Sequence, residues 1–345
     1  MYKKLLALLL TGLLVFTLAA CGGQTAPTAP SDSSPSASGD ETKPKLKVTF
    51  ITAAAGLGDR SFNDSTWEGV QRAGRELDVE ISLIEPATVS EFGTSIVAAA
   101  NSGADVIIGF SASWTDAFEE YCDRFPDIHF FGLNANAKAD NLSVAKTADH
   151  EGSFLAGALA AMMSESKIIG AVGGMESDNI NRFFVGYTEG AHYIDPEVKV
   201  LASYVGAFDD PAKGKEFALQ LMNEGADIVF QAAGGSGEGV FEAAKENDKL
   251  YAIGTDADQD YIVEGKILTS MMKNCDVVAY TFIENLLAGN FVAGDVIFDL
   301  SNDGVGLSPM TYTKELVGEE RLARLDEIRT KIISGEIVVT DLFEK

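Results

Sequence analysis

Positive charge is in short supply: 26 Lys and Arg stand against 52 Asp and Glu, a net charge of −26 over 345 residues. A surface that tracks phosphates needs clustered cations, so nucleic acid is excluded as a partner, as is electrostatic adhesion to anionic lipid. Cysteine is scarce as well, and three residues (Cys21, Cys122 and Cys275) cannot build a disulfide scaffold. Cys122 and Cys275 are expected to be buried or free thiols. Three scattered histidines, His129, His150 and His192, lack zinc-ligand spacing, and no metal or cofactor is expected. Apolar content is not lacking: 46% hydrophobic and 23% charged residues describe a folded rather than a disordered chain. Single cores stop growing near about 250–300 residues, so a chain of this length is expected to hold two lobes.

What is present starts with an address. Lys3 and Lys4 precede the apolar runs Leu5–Leu10 and Leu13–Phe16, which suit a signal-peptide core better than a transmembrane helix. The run closes on Leu18-Ala19-Ala20-Cys21-Gly22, which resembles the bacterial lipoprotein box. That resemblance implies removal of residues 1–20 and lipidation of Cys21, the only membrane attachment expected. Residues 21–45 are rich in Thr, Ala, Pro, Ser and Gly and read as a flexible tether, placing the folded part on a leash outside the membrane.

From Lys47 onward, strand and helix signals alternate. Lys47–Thr52 is β-branched and aromatic, Ser61 is a candidate N-cap, and Phe62–Leu77 has helical apolar spacing. The alternation continues and predicts an α/β fold of right-handed βαβ units with parallel sheets. The chain also repeats itself. Gly103-Ala104-Asp105-Val106-Ile107-Ile108 recurs as Gly225-Ala226-Asp227-Ile228-Val229-Phe230, and Phe131–Asn136 maps without a gap onto Ile253–Asp258. Phe62 and Glu68-Gly69 map onto Phe183 and Glu189-Gly190. A period this long is no solenoid and predicts two doubly wound lobes of one topology. The expected division is 46–148 plus about 274–300 for lobe 1, and 149–273 plus about 301–345 for lobe 2, joined by a hinge. Ligand is expected in the interlobe cleft, where strand C-terminal ends face each other.

The loops at those strand ends carry specific residues. Asp59-Arg60-Ser61-Phe62-Asn63 runs into Trp67-Glu68-Gly69; Glu151–Gly157 reads Glu-Gly-Ser-Phe-Leu-Ala-Gly; Phe208-Asp209-Asp210-Pro211, Gly254–Gln259 and Thr269–Lys273 follow. In this order, from about Lys47 to the C-terminus, they resemble the basic membrane protein family of lipoproteins, whose best-understood members are purine nucleoside receptors. The resemblance implies a type I periplasmic-binding-protein fold that serves the permease of an ABC importer, with no catalysis by the protein itself; a monomer is expected. Phe62 and Phe208 resemble the family's base-stacking pair; Phe183 reads as ordinary core.

The residue chemistry suits a nucleoside on its own account. A purine offers two π faces and a polar edge. Asp59 and Asn63 offer acceptor and mixed character at a helix mouth, with capping as the competing role for Asp59; if Ser61 caps the helix, Asn63 is free for ligand. Asp256 ends an apolar strand, where a carboxylate needs a strong partner; a ribose diol can supply one, with Lys273 offsetting the charge. Gly234 and Gly235 allow close approach of backbone to ligand. Asn134 maps onto Asp256, at a position where the resembled receptors usually carry aspartate. An amide both donates and accepts, so it is expected to relax discrimination between amino and oxo purines; capping of the following turn is its competing role.

An enzyme is the first rival reading. Gly234–Gly239 lacks the Lys-Ser/Thr of a P-loop and the GxGxxG spacing, and no serine sits in a GxSxG elbow. The second rival keeps the binding fold but changes the ligand to a sugar, an amino acid or an autoinducer-like molecule, or makes the protein a component of a signalling receptor.

Overall fold

Strand segments such as Val106–Phe110 have no polar face, which requires cover on both sides. The computed structural model, which describes residues 45–54 and 56–343, supplies that cover. The signal segment 1–20, Cys21 and nearly all of the expected tether lie outside the described residues.

The elements alternate along the chain: β1 (Lys47–Ile51), α1 (Phe62–Glu76), β2 (Glu80–Ile84), α2 (Phe92–Asn101), β3 (Val106–Phe110), α3 (Thr115–Tyr121), β4 (His129–Leu133), β5 (Leu142–Thr147) and α4 (Asp149–Met163). They continue as β6 (Ile168–Gly173), α5 (Asp178–Ile194), β7 (Lys199–Tyr204), α6 (Pro211–Asn223), β8 (Ile228–Ala232), α7 (Glu238–Glu246), β9 (Tyr251–Asp256) and β10 (Ile267–Lys273). Last come α8 (Cys275–Leu287), β11 (Gly294–Phe298), β12 (Val305–Leu307), α9 (Lys314–Val317) and α10 (Glu319–Ile333). Two six-stranded sheets result, ordered β11-β5-β4-β3-β1-β2 and β12-β10-β9-β8-β6-β7. The first is parallel throughout; in the second, β12 alone runs antiparallel, against β10. This is the doubly wound, two-lobed α/β fold that the sequence repeat predicts.

Side-chain alternation explains the cover. Val106, Ile108 and Phe110 of β3 pack with Val70 and Ala73 of α1 and Val278 and Phe282 of α8. Ile107, between them, faces Phe92 and Ile96 of α2 and Trp114. In the second sheet Ile228 and Phe230 pack beneath α4 and α5, while Val229 faces α6 and α7. Each sheet is therefore a dry layer sandwiched by helices.

Equivalent helix pairs close at equivalent glycines. A Cβ on Gly69 would stand 2.2 Å from the Asp276 carbonyl oxygen of α8, and one on Gly190 would stand 1.9 Å from that of Phe154 in α4. Only glycine permits those approaches. The chain passes between the two layers three times. β5 of the first sheet leads into α4, which packs against β10 and β12; β10 of the second leads into α8, which packs against α1; β11 leads into β12. Cys122 and Cys275 are buried free thiols. Among the described residues, no helix is long and apolar enough to cross a membrane and no cluster of three or more His, Cys, Asp or Glu is placed to hold a metal ion.

Candidate functional site

The C-terminal ends of β1, β4 and β9 and the last residue of β10 converge on one polar cluster. Its centre is Lys273, only 4% exposed. Its ammonium lies 3.1 Å from Asp149 Oδ2 and 3.9 Å from Asp256 Oδ1, and 5.8 and 5.0 Å from the ring centroids of Phe62 and Phe183. Burial works against the charge on Lys273, but the carboxylates of Asp149 and Asp256 outweigh it and hold the ammonium's pKa above its ordinary value. The Asp256 carboxyl is raised as well, which for an acid favours the neutral form. Burial raises its carboxyl above the usual range, against the pull of Lys273 and the Ser61 hydroxyl.

Asp256 spans the lobes. Its Oδ2 accepts a 3.0 Å hydrogen bond from Ser61 Oγ, which sits at the mouth of α1 in the other lobe. Its Oδ1 has no hydrogen-bond partner, as is also true of Asp149 Oδ1 and Arg182 Nη1. Buried polar atoms are normally satisfied, so these three are exceptions within the cluster. Two further contacts tie the lobes near this point: Gln259 Nε2 donates to the Arg60 carbonyl at 3.2 Å, and Arg60 lies 3.7 Å from Glu238.

Ser61 is at the start of α1 but does not cap it with its side chain. That role falls to Asp59, whose carboxylate accepts from the backbone nitrogens of Ser61, Asn63 and Asp64 at 3.0, 2.9 and 3.2 Å. The geometry thus corrects the expectation that Ser61 suffices as a cap: Gly58 and Arg60, with φ of +94° and +49°, turn the loop so that the Ser61 hydroxyl points across to Asp256. Asn63 is consequently not spare. Its Oδ1 accepts from Ala53 N at 3.0 Å and its Nδ2 donates to Asp59 Oδ2 at 3.1 Å, fastening the loop after β1 to the helix. Burial, opposed by the backbone donors, leaves the Asp59 carboxyl above its ordinary pKa.

Asn134 sits in the left-handed region, φ +54°, with its amide turned onto β5. Nδ2 donates to Thr147 Oγ1 at 3.0 Å and reaches Asp149 Oδ2 at 3.5 Å, while Oδ1 accepts from Thr147 N at 3.1 Å. Phe208 is 43% exposed. Its ring lies against Gly174, where a Cβ would approach it to 2.2 Å, and at Gly235 a Cβ would stand 3.1 Å from its carbonyl oxygen. The two loops are stitched by Ser236, whose nitrogen donates to the Phe208 carbonyl and whose hydroxyl accepts from Asp210 N. Phe183 belongs to the core, as expected, yet also presents its face to Lys273.

Sequence reasoning brought Phe62, Asp256 and Lys273 together and missed Asp149, Arg182 and Gln259 as members of the site. A signal for Asp149 was available. β5 and β10 occupy the same rank in their sheets, and both feed a helix of the other lobe, so Thr147–Asp149 is the counterpart of Lys273–Cys275.

The profile of a family described as ABC transporter substrate-binding protein PnrA-like matches residues 46–342. The ABC transporter nucleoside-binding protein BmpA of Lactococcus lactis is 34% identical over 87% of this chain and 90% of its own. Basic membrane protein A of Borreliella burgdorferi is 30% identical over 85% and 87%. A solved solute-binding protein of an ABC transporter system from Aeropyrum pernix K1 superposes with a TM-score of 0.76 at 28% identity, covering 86% of this chain and 93% of that one.

Proposed function

Because the chain belongs to the family of PnrA-like ABC transporter substrate-binding proteins, a transport family rather than an enzyme family, we propose that it binds a purine nucleoside between its two lobes and delivers it to a membrane permease. One observation carries the reading. The Lys273–Asp256 pair, with the lysine buried and the aspartate mostly so, leaves Asp256 Oδ1 without a hydrogen-bond donor at a point walled by Phe62 and Phe183. A ribose diol supplies two hydroxyl donors in the spacing a carboxylate accepts, and a purine supplies the π faces that aromatic walls take up. The relative from Lactococcus lactis, named for nucleoside binding, supports the same ligand class.

Ligand contacts from both lobes would favour the closed arrangement, and that differential contact is what shifts the equilibrium. Scattering profiles with and without saturating adenosine should differ by compaction; identical profiles would remove the hinge from the account. The lipid anchor at Cys21 completes the proposal, and Cys21→Ser should release the protein from the membrane fraction. The deciding experiment for the ligand is extraction. Mild denaturation of protein purified from its host should free an unmodified molecule with the ultraviolet spectrum of a purine; a molecule without such absorbance would point to a sugar instead.

A further inference from the structure

Arg182 is 2% exposed, and its Nη1 reaches the lysine cluster only through Asp149. A guanidinium so buried demands counter-charge. It receives it from the far end of the chain: Asp341 accepts from Nε at 2.7 Å and from Nη2 at 2.9 Å, a bidentate pair. Phe343 covers the guanidinium at 4.3 Å. Nη2 also donates to the Thr147 carbonyl at 3.1 Å and meets His150 Nδ1 at 3.2 Å. Nη1, without a hydrogen-bond partner, lies 3.5 Å from Asp149 Oδ2. That oxygen is the one that faces Lys273.

We infer that Asp341 is a positioning residue of the ligand cleft, acting through Arg182 and Asp149 on Lys273. Asp149 stands between two cations, and its hold on Lys273 depends on how much of its charge Arg182 claims. While Asp341 neutralises Arg182, Asp149 is left to Lys273. Without that charge, Asp149 is the remaining ion partner of Arg182 among the described residues. The carboxylate then turns toward the guanidinium, and Lys273 loses the contact that fixes it beside Asp256.

The inference rests on the nucleoside reading, and the test separates the two. Calorimetry on the wild type compares adenosine with adenine; equal affinities would remove the sugar-binding reading before any variant is made. Given a wild-type preference, Asp341→Asn should lower adenosine affinity about tenfold and leave adenine nearly unchanged. Asp341→Glu, which keeps the charge, should recover most of the preference. Glu189 accepts from Thr340 N at 2.9 Å and fastens the same segment without touching Arg182's charge. Glu189→Gln should therefore leave the adenosine-to-adenine ratio at the wild-type value even if it lowers the melting temperature. A merely structural segment would instead lower both affinities together in both variants, and that result, or a wild-type ratio in Asp341→Asn, overturns the inference. Should Asp341→Asn fail to fold, truncation after Thr340 carries the same expected loss of ratio and the same contrary outcome.

Discussion

Asn134 and Asp256 occupy one position in two copies of a fold. Each follows or ends the strand lying third from the edge of its sheet, β4 or β9, and each takes the left-handed conformation, with φ of +54° and +69°. Their side chains meet different fates. The Asn134 amide is turned along its own sheet and finds protein partners at both ends. The Asp256 carboxylate crosses to the other lobe through Ser61 and keeps one oxygen unpaired. Backbone geometry is thus common to the lobes, while of the two side chains only the one in the second keeps an unsatisfied polar atom.

The largest effect should come from removing the ion between the lobes. Lys273→Ala leaves Asp256 without its cation and Asp149 with only Arg182, whose Nη1 lies 3.5 Å away, and breaking a buried pair in this way typically costs about 3–5 kcal/mol. Urea unfolding should show that loss. A change under about 1 kcal/mol would mean that the cluster is hydrated rather than paired.

Asp256→Ala comes next, in binding rather than stability. Truncating one partner of a desolvated, charge-assisted contact costs about 2–5 kcal/mol, so adenosine affinity should fall more than tenfold by calorimetry. Asn134→Ala at the equivalent position should shift the unfolding midpoint and change adenosine affinity far less. Equal losses in binding would erase the distinction between the lobes.

How much of this was legible in the sequence follows from the same contrast. The two sheets were readable because a strand covered on both faces is a continuous apolar run, as in Val106–Phe110, and because the repeat from Gly103 to Asn136 preserves that pattern in the second lobe. Asp256 and Lys273 were readable as charged residues ending apolar strands. For Asp59 the capping role was one of two the sequence offered, but the roles of Ser61 and Asn63 were not readable, because they depend on a loop turned through two positive φ values. Arg182 and Asp341 were beyond reach: 159 residues separate them, and nothing local in either signals the pair.

The carboxyl of Asp256 also gives the comparison a pH dependence. Burial raises its pKa in the folded protein, so between the ordinary aspartate value and the raised one the folded state binds more protons than the unfolded state. Stability contributed at this site therefore falls as pH rises through that window. Asp256→Asn should remove the decline relative to the wild type, with Asp149, Lys273, Ser61 and Asp59 still facing the position. Superimposable pH–stability curves for the two proteins would show that the carboxyl titrates as it does in the unfolded chain.

The smallest effect is the one that tests Asn134 most sharply. In Asn134→Asp, Thr147 N can still donate to the side chain, and the Thr147 hydroxyl can reverse its bond and donate as well. What changes is the approach to Asp149, where an amide nitrogen at 3.5 Å is replaced by a second acceptor. The loss of one weak donor and the gain of like charge should cost about 1 kcal/mol, measurable as a shift in urea midpoint. The sequence resemblance leads to a further expectation, that an amide here relaxes the choice between amino and oxo purines. The geometry opposes it, because both ends of the amide are already engaged. Affinities of adenosine, inosine, guanosine and cytidine should therefore keep their ranking in Asn134→Asp. A reordered series would show that the amide leaves Thr147 when ligand arrives and reads the base directly, making the first lobe as selective as the second.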